Sequence, residues 1–210
     1  KKIASTKKPM IISTGLASLK EIEKTIYTAK RNGCNDITLL YCVSNYPSKI
    51  DDFNLNNLHI IKKKFKTKVG LSDHTVGSFL SCMAIAKGAE VIEKHICLKN
   101  IKTVDSEFSL KDNEIKKFTQ EINNAYKIVS KNYFTRSHSE IKNKFFRRSI
   151  FAIKDISKGT KFSKKNVQTF RPAIGLCASS FLKIQNKKSP KNFKRGEPLN
   201  KNLLKLLNTK

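Results

Sequence analysis

Two histidines stand where an α/β chain concentrates its chemistry. His74 follows the short apolar run Val69-Gly70-Leu71, and His95 lies in a second run, EVIEKHI, at 90–96. On a strand, Glu93 and His95 at i and i+2 project to the same face. Neighbouring parallel strands lie about 4.8 Å apart, so imidazoles at adjacent strand ends can share one ion at about 2.1 Å from each. Two imidazoles completed by oxygen ligands suit divalent Mn, Mg, Co or Zn. The competing reading is a pair of hydrogen-bonded core histidines, and the spacing alone does not separate the two. Asp73 and Glu93 fit orienting or acid/base groups, or equally ion-pair partners of lysines such as Lys94. Ser13, Thr14 and Ser72 place hydroxyls beside helix N-termini, where they serve phosphate or simply cap the helix. Arg171, before Pro172, is a candidate anion clamp.

Positioning these groups requires strands that end together. Residues 10–14 (MIIST) read as a buried strand stopped by Gly15. Ser18 and Glu21 form a capping box, and Ile22, Ile26 and Ala29 continue a helical face to Gly33. Strands are predicted again at 36–42, 69–71 and 90–96, with helices at 54–65, 77–87 and 112–129. Strand followed by helix, four times, indicates βαβ units and a parallel sheet. The carboxyl ends of such strands carry the chemistry of α/β folds, and polar residues close all four apolar runs. Residues 130–146 read as a polar, irregular linker. Beyond it, KDISKGTKFSKKNV (154–167) and KNFKRGEPLNKNLL (191–204) align without gaps at an offset of 37 residues. Two copies of a strand-turn-strand unit around Gly159 and Gly196 predict a small pseudo-symmetric β domain.

Composition narrows the function class. The 210 residues carry 43 Lys+Arg against 16 Asp+Glu, a formal charge of +27. Only six of the cations are Arg, the lysines are dispersed, and Asn is abundant. That pattern fits an AT-rich coding bias better than specific nucleic-acid readout, which leans on Arg. A basic surface still favours anionic small substrates. No apolar stretch approaches the roughly 20 residues that span a bilayer, and no apolar segment of secretory type follows the basic start. Five cysteines without a CxxC argue against a disulfide framework or zinc ribbon and suit a reducing cytoplasm.

The stretches KKPMIISTGLAS, LLYCVSNYPS, VGLSDHTVG, GAEVIEKHICL, DSEFSL and RRSIFAIKDISKGTKFSKKNV…RP…KRGEPL resemble the sialic acid synthase family over roughly residues 9–204. The resemblance implies a TIM barrel followed by a small antifreeze-like (SAF) β-clip domain. It implies condensation of phosphoenolpyruvate with an open-chain N-acylated aminosugar, giving a nine-carbon 2-keto acid and phosphate. By the same resemblance, His74 and His95 are the ligands of a divalent Mn or Mg. Glu93 manages protons at the new carbon centre, and Asp105 and Tyr46 contact the sugar or metal-bound groups. Ser13, Ser44 and Ser72, with Lys2 and Ser5 from a further strand-like match, fall at phosphate-binding positions. Arg171 matches an arginine that, in a swapped dimer, meets the N-acyl group at the partner's site. Asp105-Ser106-Glu107-Phe108-Ser109 is more similar to pseudaminate synthases than to the PGPD stretch of neuraminate-type members.

The expected fold is therefore α/β: the last four βα units of a TIM barrel at 1–129, a linker at 130–146, and the SAF domain at 147–210. A complete barrel takes about 250 residues, and the family's opening strands have no match here. A half barrel exposes two strand edges and predicts pairing with another copy, pairing with a separate front half, or aggregation, with full activity expected only when the front half is supplied. N-acetylneuraminate synthesis, a non-catalytic remnant and an interaction module remain the alternative functions.

Overall fold

The computed structural model describes residues 1–208. The chain forms two compact units, Lys1–Tyr133 and Phe134–Lys210. In the first, β1 (Met10–Ser13), β2 (Ile37–Cys42), β3 (Lys68–Asp73) and β4 (Val91–Lys94) form one parallel sheet in sequential order. Helices α1 (Leu19–Arg31), α2 (Asn56–Phe65) and α3 (Phe79–Ala86) make the crossovers, and α4 (Ile115–Val129) follows. This is half of a (β/α)8 barrel. The Ser18–Glu21 box closes the start of α1: Ser18 Oγ accepts from the Glu21 N–H, and the Glu21 carboxylate accepts from the Ser18 N–H.

Alternation sorts the strands into two faces. Ile37, Leu39, Val69 and Leu71 point to the helices and are buried with Leu58 and Leu80. The opposite face carries Leu40, Gly70 and Val91 on one rung, and Cys42, Ser72 and Glu93 on the next. Gly70 is fixed by space. A Cβ there would lie 2.3 Å from the Val91 carbonyl oxygen and 2.6 Å from Leu40 Cδ2.

The fourth strand differs from the sequence expectation. It ends at Lys94, and the chain breaks pairing at His95 before β5 (Ile96–Cys97), which pairs in parallel with β6 (Leu110–Lys111). The His95 carbonyl oxygen accepts from the Leu110 N–H at 2.8 Å, so the strand exchanges one partner for another at this residue. Residues 130–146, expected to be irregular, contain a short helix α5 (His138–Lys142) and a 3-10 turn (Asn143–Phe146). Ser137 supplies the helix cap by accepting from the Glu140 N–H.

The second unit shows the internal repeat as a two-fold relation. Gly159 N–H donates to the Ser189 carbonyl, and Gly196 N–H, 37 residues on, donates to that of Ala152. Phe162 N–H pairs with the Lys187 carbonyl as Leu199 N–H pairs with that of Ile150. Lys158 N–H donates to Asn192 Oδ1, and Arg195 N–H to Asp155 Oδ1. Ile156 and Phe193, equivalent in the two copies, bridge each other directly. Gly159 and Gly196 share positive φ values of 87° and 85°, the left-handed turn that a side chain would strain. The copies therefore meet directly at Ile156 and Phe193, while the glycine N–H of each turn donates to a residue that flanks the other copy. The regular strands here are β7 (Ser149–Ala152) and β8 (Val167–Phe170), antiparallel. The short helices α6 (Phe181–Ile184) and α7 (Leu203–Asn208) complete the unit. Ile150, Ile156, Phe162, Phe193 and Leu199 form its core.

Candidate active site

The carboxyl ends of β2, β3 and β4 bring the two histidines together. The His74 and His95 rings have centroids 5.3 Å apart at an interplanar angle of 68°. His74 is buried, and its Nδ1 lies 3.0 Å from the Val43 carbonyl oxygen. A carbonyl only accepts, so Nδ1 carries the proton and Nε2 presents its lone pair. His95 Nδ1 faces Asp105 Oδ2 at 3.3 Å, which orients that imidazole in the same sense.

Ser72 links the two strands. Its hydroxyl donates to Glu93 Oε1 at 2.7 Å and lies 3.5 Å from His74 Nε2. A serine has one proton, and the shorter contact takes it. His74 Nε2 thus remains an acceptor facing an oxygen that has no proton left for it. Both imidazoles so present Nε2, with Nδ1 held by a carbonyl or a carboxylate, which is the arrangement metal-binding histidines adopt. Among the described residues no third His, Cys, Asp or Glu joins them as a ready-made metal cluster. Two protein nitrogens are one ligand short of the usual three-ligand open site, so the pair fits a divalent cation only where water or substrate oxygens complete the donor set.

Tyr46 and Phe108 wall the imidazoles. The Tyr46 ring is 4.3 Å from that of His74, and Phe108 lies 5.0 Å from His95 and 5.7 Å from Tyr46. Phe108 is buried; the Asp105–Ser109 stretch contained it, but without a role, because it reaches the histidines on the loop between β5 and β6. The Val43 carbonyl was invisible, since every residue carries one. Ser13 ends β1 on the exposed, site-facing side of the sheet, whereas Thr14 is turned back to donate to the Leu40 carbonyl. Ser44 Oγ lies 3.8 Å from Cys42 Sγ and borders the space above Gly15.

Lys2 and Ser5 are not brought to this cluster. Their segment forms a 3-10 turn (Ala4–Thr6), not a strand, and Ser5 donates to the Lys2 carbonyl. Ala4 is buried in the helix-layer core, and Lys7 packs beside Gly33, at the sheet end opposite the histidines. Arg171 belongs to the second unit, where it is exposed and precedes the cis Arg171-Pro172 bond.

Asp73 and Lys94 point to the helix side. Lys94 Nζ lies 3.1 Å from Asp73 Oδ2, with both side chains almost wholly buried. Burial pushes the Lys94 ammonium below its ordinary pKa, and the Asp73 carboxylate opposes that shift.

Residues 1–133 match the family model described as NeuB family, and 147–205 match that of the SAF domain. The chain belongs to the NeuB family. Among NeuB relatives, pseudaminic acid synthase of Campylobacter jejuni is 40% identical over 198 residues, covering 94% of this chain and 58% of its own length. N,N'-diacetyllegionaminic acid synthase of the same organism is 41% identical, covering 94% of this chain and 60% of that protein. The chain thus spans less than two thirds of these relatives. The solved structure of N-acetylneuraminic acid synthetase from Leptospira borgpetersenii, in complex with citrate, superposes with a TM-score of 0.61 at 32% identity. It covers 67% of this chain and 50% of that one. Spore coat polysaccharide biosynthesis protein SpsE of Bacillus subtilis gives a TM-score of 0.58 at 25% identity, covering 96% of this chain and 62% of that one. Among the described residues, no helix is long and apolar enough to cross a membrane.

Proposed function

We propose that this NeuB-family chain carries the cation-holding side of a nonulosonic acid synthase. The reaction joins phosphoenolpyruvate to an open-chain N-acylated aminosugar with one water, giving a nine-carbon 2-keto acid and inorganic phosphate. The observation that carries the reading is the imidazole pair, with ring centroids 5.3 Å apart and both Nδ1 atoms engaged, which leaves the Nε2 atoms available to a cation. Bound there, Mn or Mg would act as a Lewis acid on the sugar aldehyde.

The chain's own groups take the remaining roles. Glu93, oriented by the Ser72 hydroxyl, holds or moves a proton at the carbon that joins the sugar. Asp105 keeps His95 in its orientation. Ser13, Ser44 and Ser72 offer hydroxyls to the phosphate and carboxylate of phosphoenolpyruvate. Tyr46 and Phe108 supply an apolar wall for the sugar. Arg171 is the candidate contact for the N-acyl group of a sugar bound to a second copy.

The pseudaminate and legionaminate relatives are 40% and 41% identical, so identity does not choose between them. The Asp105–Ser109 stretch favours a 2,4-diacetamido-trideoxy hexose, with N-acetylneuraminate synthesis as the second reading. The test is to mix the protein with phosphoenolpyruvate, Mn and each candidate aminosugar, reading phosphate release and product mass. Sugar-dependent release and a product heavier by one pyruvate unit are expected once the front half of a family barrel is supplied to complete this four-stranded sheet. Turnover at the full rate by this chain alone, or phosphoenolpyruvate left intact with the barrel completed, contradicts the proposal.

A further inference from the structure

We infer that the buried Asp73–Lys94 pair is a positioning device that sets the two imidazoles against each other from behind the sheet. The inference rests on reading His74 and His95 as cation ligands. Asp73 and Lys94 are register partners across β3 and β4, and each directly precedes one of the histidines. Strand alternation sends Ser72 and Glu93 to the site face and Asp73 and Lys94 to the helix face. The ion pair therefore fastens the two strand ends at the last rung before the chain delivers each ring.

The fastening extends into the segment that carries His74. Asp73 Oδ1 accepts from the Thr75 N–H at 2.8 Å and from Thr75 Oγ1 at 2.7 Å. Asp73 Oδ2 accepts from Ser81 Oγ on α3 as well as from Lys94. Lys94 Nζ also donates to the Thr75 carbonyl oxygen. Thr75 is thus held at its N–H by one member of the pair and at its C=O by the other. His74 sits between these anchors, with its own carbonyl accepting from the Ser48 N–H at 3.1 Å.

Stability is a weak account of the pair. Burying two charges costs desolvation that their attraction often fails to repay, and apolar residues of similar volume fill such a site as well or better. What the ionic pair adds is fixed geometry at both strand ends. A cation gripped by two nitrogens requires that geometry, because ligand distances tolerate little displacement.

The double variant Asp73→Asn/Lys94→Met tests this. It removes both charges at nearly constant volume and leaves an acceptor for the Thr75 N–H. Mn affinity by calorimetry, the melting temperature, and the His74 ring proton resonances of the metal-free chain are compared with the parent. A fold retained, Mn bound about 10–100-fold more weakly, and shifted or broadened His74 resonances are expected. An affinity within about twofold of the parent, with the resonances unmoved, overturns the inference and leaves the cation reading standing. If instead the parent's Mn binding is unchanged by His74→Ala and His95→Ala, the cation reading fails. The resonances of the metal-free chain then decide the positioning role alone. Should the double variant not fold, Lys94→Arg, which keeps the charge but alters the reach, takes its place. It is expected to weaken Mn binding several-fold, and parent-like affinity with unmoved resonances would overturn the inference.

Discussion

At the scale of single residues, the site is a set of protons already assigned. The Val43 carbonyl accepts from the His74 Nδ1–H, Asp105 faces Nδ1 of His95, and the Ser72 hydroxyl donates to Glu93. Asp105 is half exposed, so its worth lies in aiming a ring and little in stability. Asp105→Ala is accordingly expected to lower Mn affinity about 10–100-fold while the melting temperature stays near the parent's. Calorimetry and a thermal melt check both halves. That the histidines, Glu93 and Ser72 share the site face was legible, because strand-end position and alternation can be read from sequence; the Ser72–Glu93 hydrogen bond was not. Nor were the places of Phe108 and the Val43 carbonyl, since loop paths decide them. Lys2 and Ser5 were matched to a strand that the chain does not form: Ala4 is drawn into the helix-layer core and curls the segment into a turn.

At the scale of elements, the four parallel strands begin and end within three residues of where the apolar runs place them. The break at His95 was hidden, because a continuous apolar run cannot show that its partner changes from β3 to β6. Gly70 is the tightest point of this sheet. Gly70→Ala is expected to destabilise the first unit by about 3 kcal/mol, since backbone at Val91 cannot yield. Urea unfolding measures it. In the second unit the repeat was legible as a 37-residue offset, whereas the pairing of copy with copy emerged only in three dimensions. Its carboxylates impose a pH dependence. The Arg195 N–H and then Lys194 hold Asp155 below its ordinary 3.8, and Lys191 and then the Lys194 N–H hold Glu197 below 4.5. A depressed carboxyl stabilises the native state above its unfolded value and loses that contribution as pH falls through the folded one. The unit should therefore keep full stability at neutral pH and weaken as pH drops below these ordinary values. Asp155→Asn is expected to flatten that decline in amide exchange over residues 150–199.

At the scale of the whole chain, charge and edges dominate. A formal +27 raises the local concentration of anions, which suits an anionic small substrate without demanding a nucleic acid. Among the described residues, β1 pairs only with β2 and β4 only with β3, and Ile11 on β1 is 58% exposed. Unpaired strand edges beside apolar surface favour association. Sedimentation at rising concentration is expected to show species heavier than the 23.9 kDa chain, and a monomer throughout would contradict this. The proposed link from these scales to function passes through one ion. Pulsed electron paramagnetic resonance of the Mn-loaded chain counts the nitrogens bound to it. Two imidazole couplings, reduced to one in His74→Ala and in His95→Ala alike, are the expected result. Manganese held with no nitrogen coupling, or with couplings indifferent to both substitutions, would contradict the site described here.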